Sequence, residues 1–107
     1  FAAGTVLGAG RAIVVFGGAS GIPSGTPNAV AASTGTLSLN NSSDTVTVRN
    51  AARTAIDSFS YTSSLASQDA VSMNRSPDAS ATGGFVLHTS LSSRSASPGL
   101  RVNGSAF

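Results

Sequence analysis

Nucleophilic catalysis would need a histidine beside an activated serine, and this chain has one histidine, His88. The chain has no cysteine, so a thiol nucleophile is excluded, whereas its 20 serines make any Ser–His–Asp combination uninformative. No serine lies in the G-x-S-x-G turn that exposes a hydrolase nucleophile; Ser20 has Gly18 before it but Ile22 after it. His88 shares its phase with Val86 on a predicted strand. The sequence therefore assigns no catalytic residue, and it favours a strand histidine with ordinary solvent or hydrogen-bond contacts.

Oxygen ligands for a metal ion are sparse. The four carboxylates all come from Asp, stand nine or more residues apart and form no D-x-D-x-D loop. Asn40, Asn41 and Asp44 could gather oxygens at one turn, but such residues usually accept backbone N–H bonds and tolerate left-handed conformations. Without cysteine, thiolate zinc sites are also excluded. The sequence favours a structural turn over a calcium site and predicts no metal.

Two glycine-containing stretches have to be weighed as cofactor motifs. The first, Gly8-Ala9-Gly10, begins like a dinucleotide fingerprint, but the third glycine of G-x-G-x-x-G would fall at Ile13. A helix should follow these glycines to present backbone N–H groups to the pyrophosphate, and a strand-like run follows instead. The second, residues 15–22, is followed by Pro23 and Pro27, which oppose a helix. No cofactor is predicted.

The positive charge belongs entirely to arginine. The sequence pI is near 10.6, but the net charge is only +2, and no basic run exists. Phosphate binding becomes strong when several clustered cations release counterions together. The six arginines are spread along the sequence, at positions 11, 49, 53, 75, 94 and 101. Unless folding gathers them, they are isolated, so nucleic-acid binding is the weakest of the functions considered.

Strand patterns dominate the rest of the chain. Leucines at 37 and 39 and valines at 46 and 48 alternate on either side of a polar turn at residues 40–44, which predicts a hairpin with strands near 35–40 and 45–50. A continuous apolar run at residues 11–16 predicts a strand covered on both faces. Further strands are predicted at residues 55–61, 70–75 and 85–89. Residues 64–71 have room for one short helical turn, and the tail from residue 90 reads as turn and coil.

Two stretches do not fit a simple strand pattern. In residues 55–61, Asp57, Phe59 and Tyr61 share one phase and Ile56 has the other, so either a bulge intervenes or both faces are partly covered. Residues 17–35 form a long stretch rich in Gly, Ser, Pro and Ala, which predicts a loop. No apolar run approaches the ~20 residues of a membrane helix, so no membrane span is predicted. At 107 residues the chain is at most one domain.

These segments, taken in order, resemble a lamin-tail domain of the bacterial type. The carrying motifs are L-S-L-N-N-x-x-D-T-V-T-V-R at residues 37–49 with I-D-S-F-S-Y at 56–61, S-M-N-R-S-P-D at 72–78, S-P-G with Asn103 at 97–103, and L-G-A-G-R-A-I-V-V at 7–15. The resemblance implies an all-β, immunoglobulin-like β-sandwich. It also implies structural roles, in turns or in bonds to the backbone, for Asn40, Asn41, Asp44, Arg75, Pro98 and Gly99.

The chain also departs from the lamin-tail pattern. The family's opening N-E pair, E-L-x-N strand and G-W-x-L segment are absent, which indicates a partial domain over residues 1–107 that lacks its first two or three strands. Arg53 stands where the family usually has a turn glycine, so that turn must be built differently or be strained. Ala79 likewise follows Asp78 where the pattern has glycine. The missing strands would leave an unpaired edge and exposed apolar surface.

The resemblance implies a module without enzymatic activity. We expect a β-sandwich for attachment or interaction, carried by a larger secreted or cell-surface bacterial protein, with an unknown protein or surface partner and the missing strands of the same parent chain beside it. The alternative is an accessory domain of an extracellular nuclease or phosphoesterase whose catalytic domain lies outside this chain. A nucleic-acid-binding module is the weaker alternative. Fold alone decides among none of these functions.

Overall fold

The computed structural model describes all residues, 1–107, and consists of short strands with almost no helix. Six strands form three two-stranded sheets, and one α-helix, α1, spans Ser63–Ala66. Single turns of 3-10 helix lie at Ala19–Gly21 and His88–Ser90. The strands are β1 (Val14–Phe16), β2 (Ala29–Ala31), β3 (Asp44–Arg49), β4 (Ala55–Tyr61), β5 (Met73–Ser76) and β6 (Gly84–Leu87). This strand content is compatible with the predicted all-β class.

The longest sheet is the antiparallel hairpin of β3 and β4. Val46 pairs with Phe59 and Val48 pairs with Asp57, so the apolar phase of β3 shares a face with the Asp57 phase of β4. The register shifts after Val48, where Arg49 pairs with Ala55 and Ile56 is left as the extra residue. Such a bulge lets Ile56 leave the phase of its neighbours. Of the two explanations for residues 55–61, the bulge is therefore confirmed.

The predicted pairing of residues 35–40 with residues 45–50 is wrong. Residues 35–40 form no strand, and β3 instead pairs with β4 through a turn at residues 50–54. Ser38 has a left-handed φ of 50°, which breaks an extended run, and its N–H donates to the Thr36 hydroxyl. The Asn40 N–H donates to the Asp44 carboxylate rather than to a neighbouring strand. Local side-chain acceptors thus replace the hydrogen bonds that a ladder would have supplied.

The first sheet joins β1 and β2 in parallel. Val15 pairs with Val30, and the residues of β1 are only half-buried rather than covered on both faces as the sequence predicted. β2 lies inside the stretch 17–35 that the sequence predicts as a loop. The amide of Asn28 donates to the Ala12 carbonyl and the Val14 N–H donates to the Asn28 carbonyl. One asparagine thereby attaches β2 to β1, a bond that no hydrophobic pattern reveals.

The third sheet is the antiparallel pair of β5 and β6, with Arg75 opposite Phe85 and Ser76 opposite Gly84. Gly83, which precedes β6, passes so close to the backbone that a Cβ there would lie 2.9 Å from the Ser76 carbonyl oxygen. Only glycine allows this approach. The strands predicted at residues 70–75 and 85–89 lie at residues 73–76 and 84–87, so both are shorter than expected and slightly displaced. The second strand ends where a 3-10 turn begins at His88.

Apolar contact between the second and third sheets makes the centre of the molecule. The rings of Phe59 and Phe85 stack with centroids 3.5 Å apart, and Tyr61 lies 6.5 Å from Phe59. Only Tyr61 and His88 are buried in the whole chain. Many large apolar side chains remain exposed instead: Phe1, Val6, Leu7, Leu37, Leu39, Val46, Val48, Ile56 and Leu91. The fold therefore has a small centre and an unusually apolar surface.

Candidate functional site

The polar side chain with the most connections is Arg75, on β5. Its Nη2 donates to both carboxylate oxygens of Asp57 at 2.9 Å, and its Nη1 donates to the carbonyls of Ala81 and Gly83 at 3.2 and 3.3 Å. Its guanidinium carbon lies 4.8 Å from the centre of the Phe85 ring. We call these five residues the Arg75 junction. It ties the hairpin to the β5–β6 sheet and to the loop between β5 and β6.

The junction leaves Arg75 little capacity for a ligand. A groove of about 430 Å³ lies beside it, lined by Ile56, Asp57, Arg75, Ala79, Ser80 and Ala81. An anion entering this groove would have to displace the Asp57 carboxylate, which is already bidentate on the guanidinium. Asp57 is 57% exposed and Arg75 is 23% exposed, so the pair is partly solvated and adds only modestly to stability. The arrangement serves to position the two sheets.

The turn before β3 is organised by the Asp44 carboxylate. Its Oδ1 accepts the Thr45 N–H at 2.8 Å, and its Oδ2 accepts the backbone N–H and the side-chain amide of Asn40 at 3.3 and 3.4 Å. The Tyr61 hydroxyl donates to the Asn40 carbonyl at 2.7 Å. Asn41 is exposed and makes no side-chain hydrogen bond. The structure thus brings Asn40 and Asp44 together in one turn and leaves Asn41 outside its bonds.

Tyr61, at the end of β4, has a hydroxyl with a raised pKa. Its burial, and secondarily the Asp44 carboxylate on the opposite strand, raise the pKa of the Tyr61 hydroxyl above its usual value of 10.0. Both influences favour the neutral phenol, which is also the form that donates to Asn40. Tyr61 therefore acts here as a buried hydrogen-bond donor that closes the turn.

His88 is completely buried, with 0% of its surface exposed. Its Nδ1 lies 2.8 Å from the side-chain oxygen of Asn74, which also accepts the Ser72 hydroxyl at 3.0 Å. Because that oxygen only accepts, Nδ1 donates to it, and Nε2 has no hydrogen-bond partner. A catalytic imidazole needs Nε2 within reach of a nucleophile and of substrate. No hydroxyl reaches Nε2 and solvent does not touch it, so His88 is placed as a packing and hydrogen-bonding residue.

Pro98 and Gly99 form the centre of a tight turn in the C-terminal segment. The Leu100 N–H donates to the Ser97 carbonyl at 3.0 Å, and Gly99 has a φ of 74°. Proline followed by glycine with positive φ is the pattern of a type II turn. A Cβ on Gly99 would lie 3.0 Å from Val14 Cγ2, so the turn packs against β1. These two residues thus hold the C-terminal segment against the first sheet.

The two positions at which the lamin-tail pattern has glycine adopt the conformation that glycine favours. Arg53 has a φ of 63° and Ala79 has a φ of 58°. Left-handed conformations cost residues with a Cβ about 1 kcal/mol or more. The turn after Asn50 therefore keeps the glycine-type geometry. The sequence left open whether this turn is built differently or is strained, and the structure shows the strained backbone at Arg53. Its carbonyl accepts the Arg49 guanidinium at 3.1 Å.

The remaining candidate groups fall in separate places. Residues 8–10 form a turn that leads to β1 rather than to a helix, and they border a second groove of about 380 Å³ that also includes Arg11. Asp78 accepts the Val102 N–H at 2.8 Å. Arg101 lies over the Phe107 ring at 5.0 Å, and the Arg94 guanidinium reaches the turn at Gly104. No three His or Asp side chains converge on a point.

The comparisons with known proteins add no relative. No family model, curated protein or solved structure matches the chain. The longest α-helix has four residues, and no helix has the length and apolar character needed to cross a bilayer. The case for any function therefore comes from the chain's own contacts.

Sequence reasoning missed two residues of the polar network. The sequence assigns Asp57 no partner. Its alternation with Phe59, however, puts both side chains on the face of β4 that packs against β6. Asn74 was seen only as part of a motif, although it orients His88. The spacing from Asn74 to His88 carries no signal by itself, because β5 and β6 pair through a loop whose path the sequence does not specify.

Proposed function

We propose that this chain is a non-catalytic attachment or interaction module with an immunoglobulin-like β-sandwich of the lamin-tail type, carried by a larger extracellular or cell-surface bacterial protein. The main support is the backbone at Arg53 and Ala79. Both stand where the family pattern has glycine, and both have positive φ. Asn28, Ser38 and Ala70 also have positive φ, so the two turns are in keeping with the pattern without being particular to it.

The contacts of the polar side chains support the non-catalytic part of the proposal. Arg75 binds Asp57 and two carbonyls, Asp44 binds a turn, and Asp78 binds the C-terminal backbone. His88 is enclosed. Three of the four carboxylates, together with Arg75 and His88, are thus engaged in holding the chain, and much of the exposed surface is formed by hydroxyl and apolar side chains. Such a surface suits binding to another macromolecule rather than turnover of a small substrate.

A binding assay on bacterial envelopes tests the attachment function. The fluorescently labelled chain is titrated onto washed cell envelopes, and bound label is counted after sedimentation. We expect saturable binding that an excess of unlabelled chain removes. As a matched control, His88→Gln replaces the buried imidazole with an amide that can also donate to Asn74, and once circular dichroism shows that it is folded it should leave binding unchanged. Binding that fails to saturate, or that unlabelled chain does not compete, would contradict an attachment role.

Besides an accessory domain of an extracellular nuclease or phosphoesterase whose catalytic domain lies outside this chain, the weaker alternative is a nucleic-acid-binding module. One observation favours it: five of the six arginines have no carboxylate partner, and two of these, Arg49 and Arg53, flank the same turn, where the Arg49 guanidinium donates to the Arg53 carbonyl. Labelled DNA at low ionic strength would then show a mobility shift that weakens steeply with salt. Arg49→Gln with Arg53→Gln would weaken it further, whereas Arg11→Gln would serve as the single-site control. No shift at low ionic strength rules the alternative out.

A further inference from the structure

The chain exposes far more surface than a folded monomer of its mass. Its accessible surface is 7187 Å², whereas about 5,400 Å² is expected for a monomer of 10.5 kDa. The chain is nonetheless nearly compact, since its radius of gyration is 13.9 Å against about 13 Å expected. The excess of about 1,800 Å² exceeds the roughly 800 Å² that each partner contributes to a standard interface. This uncovered surface is spread over the whole chain, and at β3 it includes a free strand edge.

Strand β3 is the most open regular element of this surface. Every residue from Thr45 to Arg49 is exposed, so neither face of the strand is covered. Val46 and Val48 are each 45% exposed although they share a face with Phe59. β3 pairs with β4 on one side, and no third strand pairs with its other edge. An unprotected, apolar-faced edge of this kind readily adds another strand.

The charges of β3 make it complementary to itself. The strand begins with Asp44 and ends with Arg49, and the four residues between them are uncharged. When two copies of such a strand pair antiparallel, the acidic end of each lies near the basic end of the other. A two-fold axis perpendicular to the sheet that passes beside Val46 or Thr47 generates this arrangement and closes the assembly at two copies. Registers that place Val46 beside Val46 or Val48 of the second copy also continue one apolar face across the sheet.

We propose that two copies of this chain associate through antiparallel pairing of their β3 strands, forming a four-stranded sheet in the order β4, β3, β3 of the second copy and β4 of the second copy. This inference rests on the proposed function as an interaction module, and it names a second copy as the partner of the β3 edge. The pairing gives the unpaired N–H and C=O groups of that edge their hydrogen bonds and brings the valine faces of the two copies side by side.

Sedimentation velocity on the 107-residue chain between 1 and 200 µM tests the pairing. We expect a monomer–dimer equilibrium for the wild type. Val46→Lys places a charge on the apolar face of the edge strand and should raise the dissociation constant at least tenfold. Ile56→Lys is the matched control: it adds the same charge to an exposed apolar residue at the bulge of β4 and should leave the dimer intact. Circular dichroism establishes that both variants remain folded.

Three results would overturn the inference. They are a wild type that stays monomeric at 200 µM, a dimer weakened by Ile56→Lys but not by Val46→Lys, and open-ended association without a dimer plateau. If Val46→Lys fails to fold, Arg49→Asp replaces it, because it removes the basic end of β3 and should weaken the dimer. A monomeric wild type that still binds envelopes overturns the pairing alone. A dimer that does not bind envelopes contradicts the attachment function alone.

Discussion

Among changes to the polar side chains of the Arg75 junction, replacing Arg75 with methionine should be the most destabilising. Arg75→Met keeps a long apolar stem but removes the guanidinium. The two carbonyl bonds contribute about 1 kcal/mol each, and the partly exposed ion pair with Asp57 contributes about 0.5 kcal/mol. The stacking of the guanidinium on Phe85 adds about 0.5 kcal/mol. The expected loss of unfolding free energy is therefore about 3 kcal/mol.

Urea denaturation followed by circular dichroism measures this loss. A decrease of about 3 kcal/mol is a large part of the 5–15 kcal/mol that holds an ordinary domain together, so the midpoint should fall strongly at unchanged slope. The matched control is Asp57→Asn, which removes the ion pair but leaves both carbonyl bonds, and should cost only about 0.5 kcal/mol. Arg75→Lys keeps the charge but loses the planar fork, and should fall between the two variants.

The comparison of the two variants decides whether the junction works as described. If Arg75→Met costs no more than Asp57→Asn, the bonds to Ala81 and Gly83 contribute nothing, and the junction is only a surface ion pair. If both variants cost about 3 kcal/mol, the ion pair dominates and the treatment of Asp57 as partly solvated is wrong. Either outcome refutes the division of free energy given above.

Three further predictions concern backbone and titration. Gly99→Ala should cost about 2 kcal/mol by thermal melting, since the new Cβ meets Val14 in a left-handed turn, whereas Gly25→Ala, at a φ of 82° with open space around it, should cost about half as much. Arg53→Gly should raise stability by up to about 1 kcal/mol and Arg53→Ala should leave it unchanged; equal effects would exclude strain at that turn. Because the folded state raises the pKa of Tyr61, its stabilising contribution is complete below about pH 10 and is lost as the pH rises through the folded value. Urea midpoints between pH 8 and 11 should show this loss in the wild type and not in Tyr61→Phe.

The strand content was predictable because period-two alternation and clusters of turn residues are local signals. The segment that became β4 was predicted with the bounds that the structure has, and the conflict of phase at Ile56 anticipated the bulge. The pairing was not predictable in the same way. Residues 35–40 alternate as well as β3 does, yet the Asp44 carboxylate and the left-handed Ser38 divert their backbone. Alternation indicates an extended chain, and local acceptors decide whether a partner strand is found.

For the polar contacts of Arg75 and His88, the sequence identified the residues but not their partners. The motif around Arg75 pointed to a structural arginine, but its bonds to Asp57 and to two loop carbonyls depend on the contact between two sheets. The complete burial of His88 was also missed, since a histidine in phase with Val86 at a strand end reads as half-exposed. The strand ends before His88, and the 3-10 turn that begins there moves the ring toward Asn74. Both the partners of Arg75 and the burial of His88 depend on tertiary contacts, which the hydrophobic pattern of the sequence does not encode.

The central proposal is that this chain is a non-catalytic module whose polar side chains hold its architecture. A hydrolysis assay with ester, phosphomonoester and phosphodiester substrates, run on the wild type and on His88→Gln, tests it most directly. We expect the wild type to turn over none of these substrates faster than His88→Gln does, because His88 is sealed from solvent and its Nε2 meets no nucleophile. Turnover by the wild type that disappears in a folded His88→Gln would contradict it.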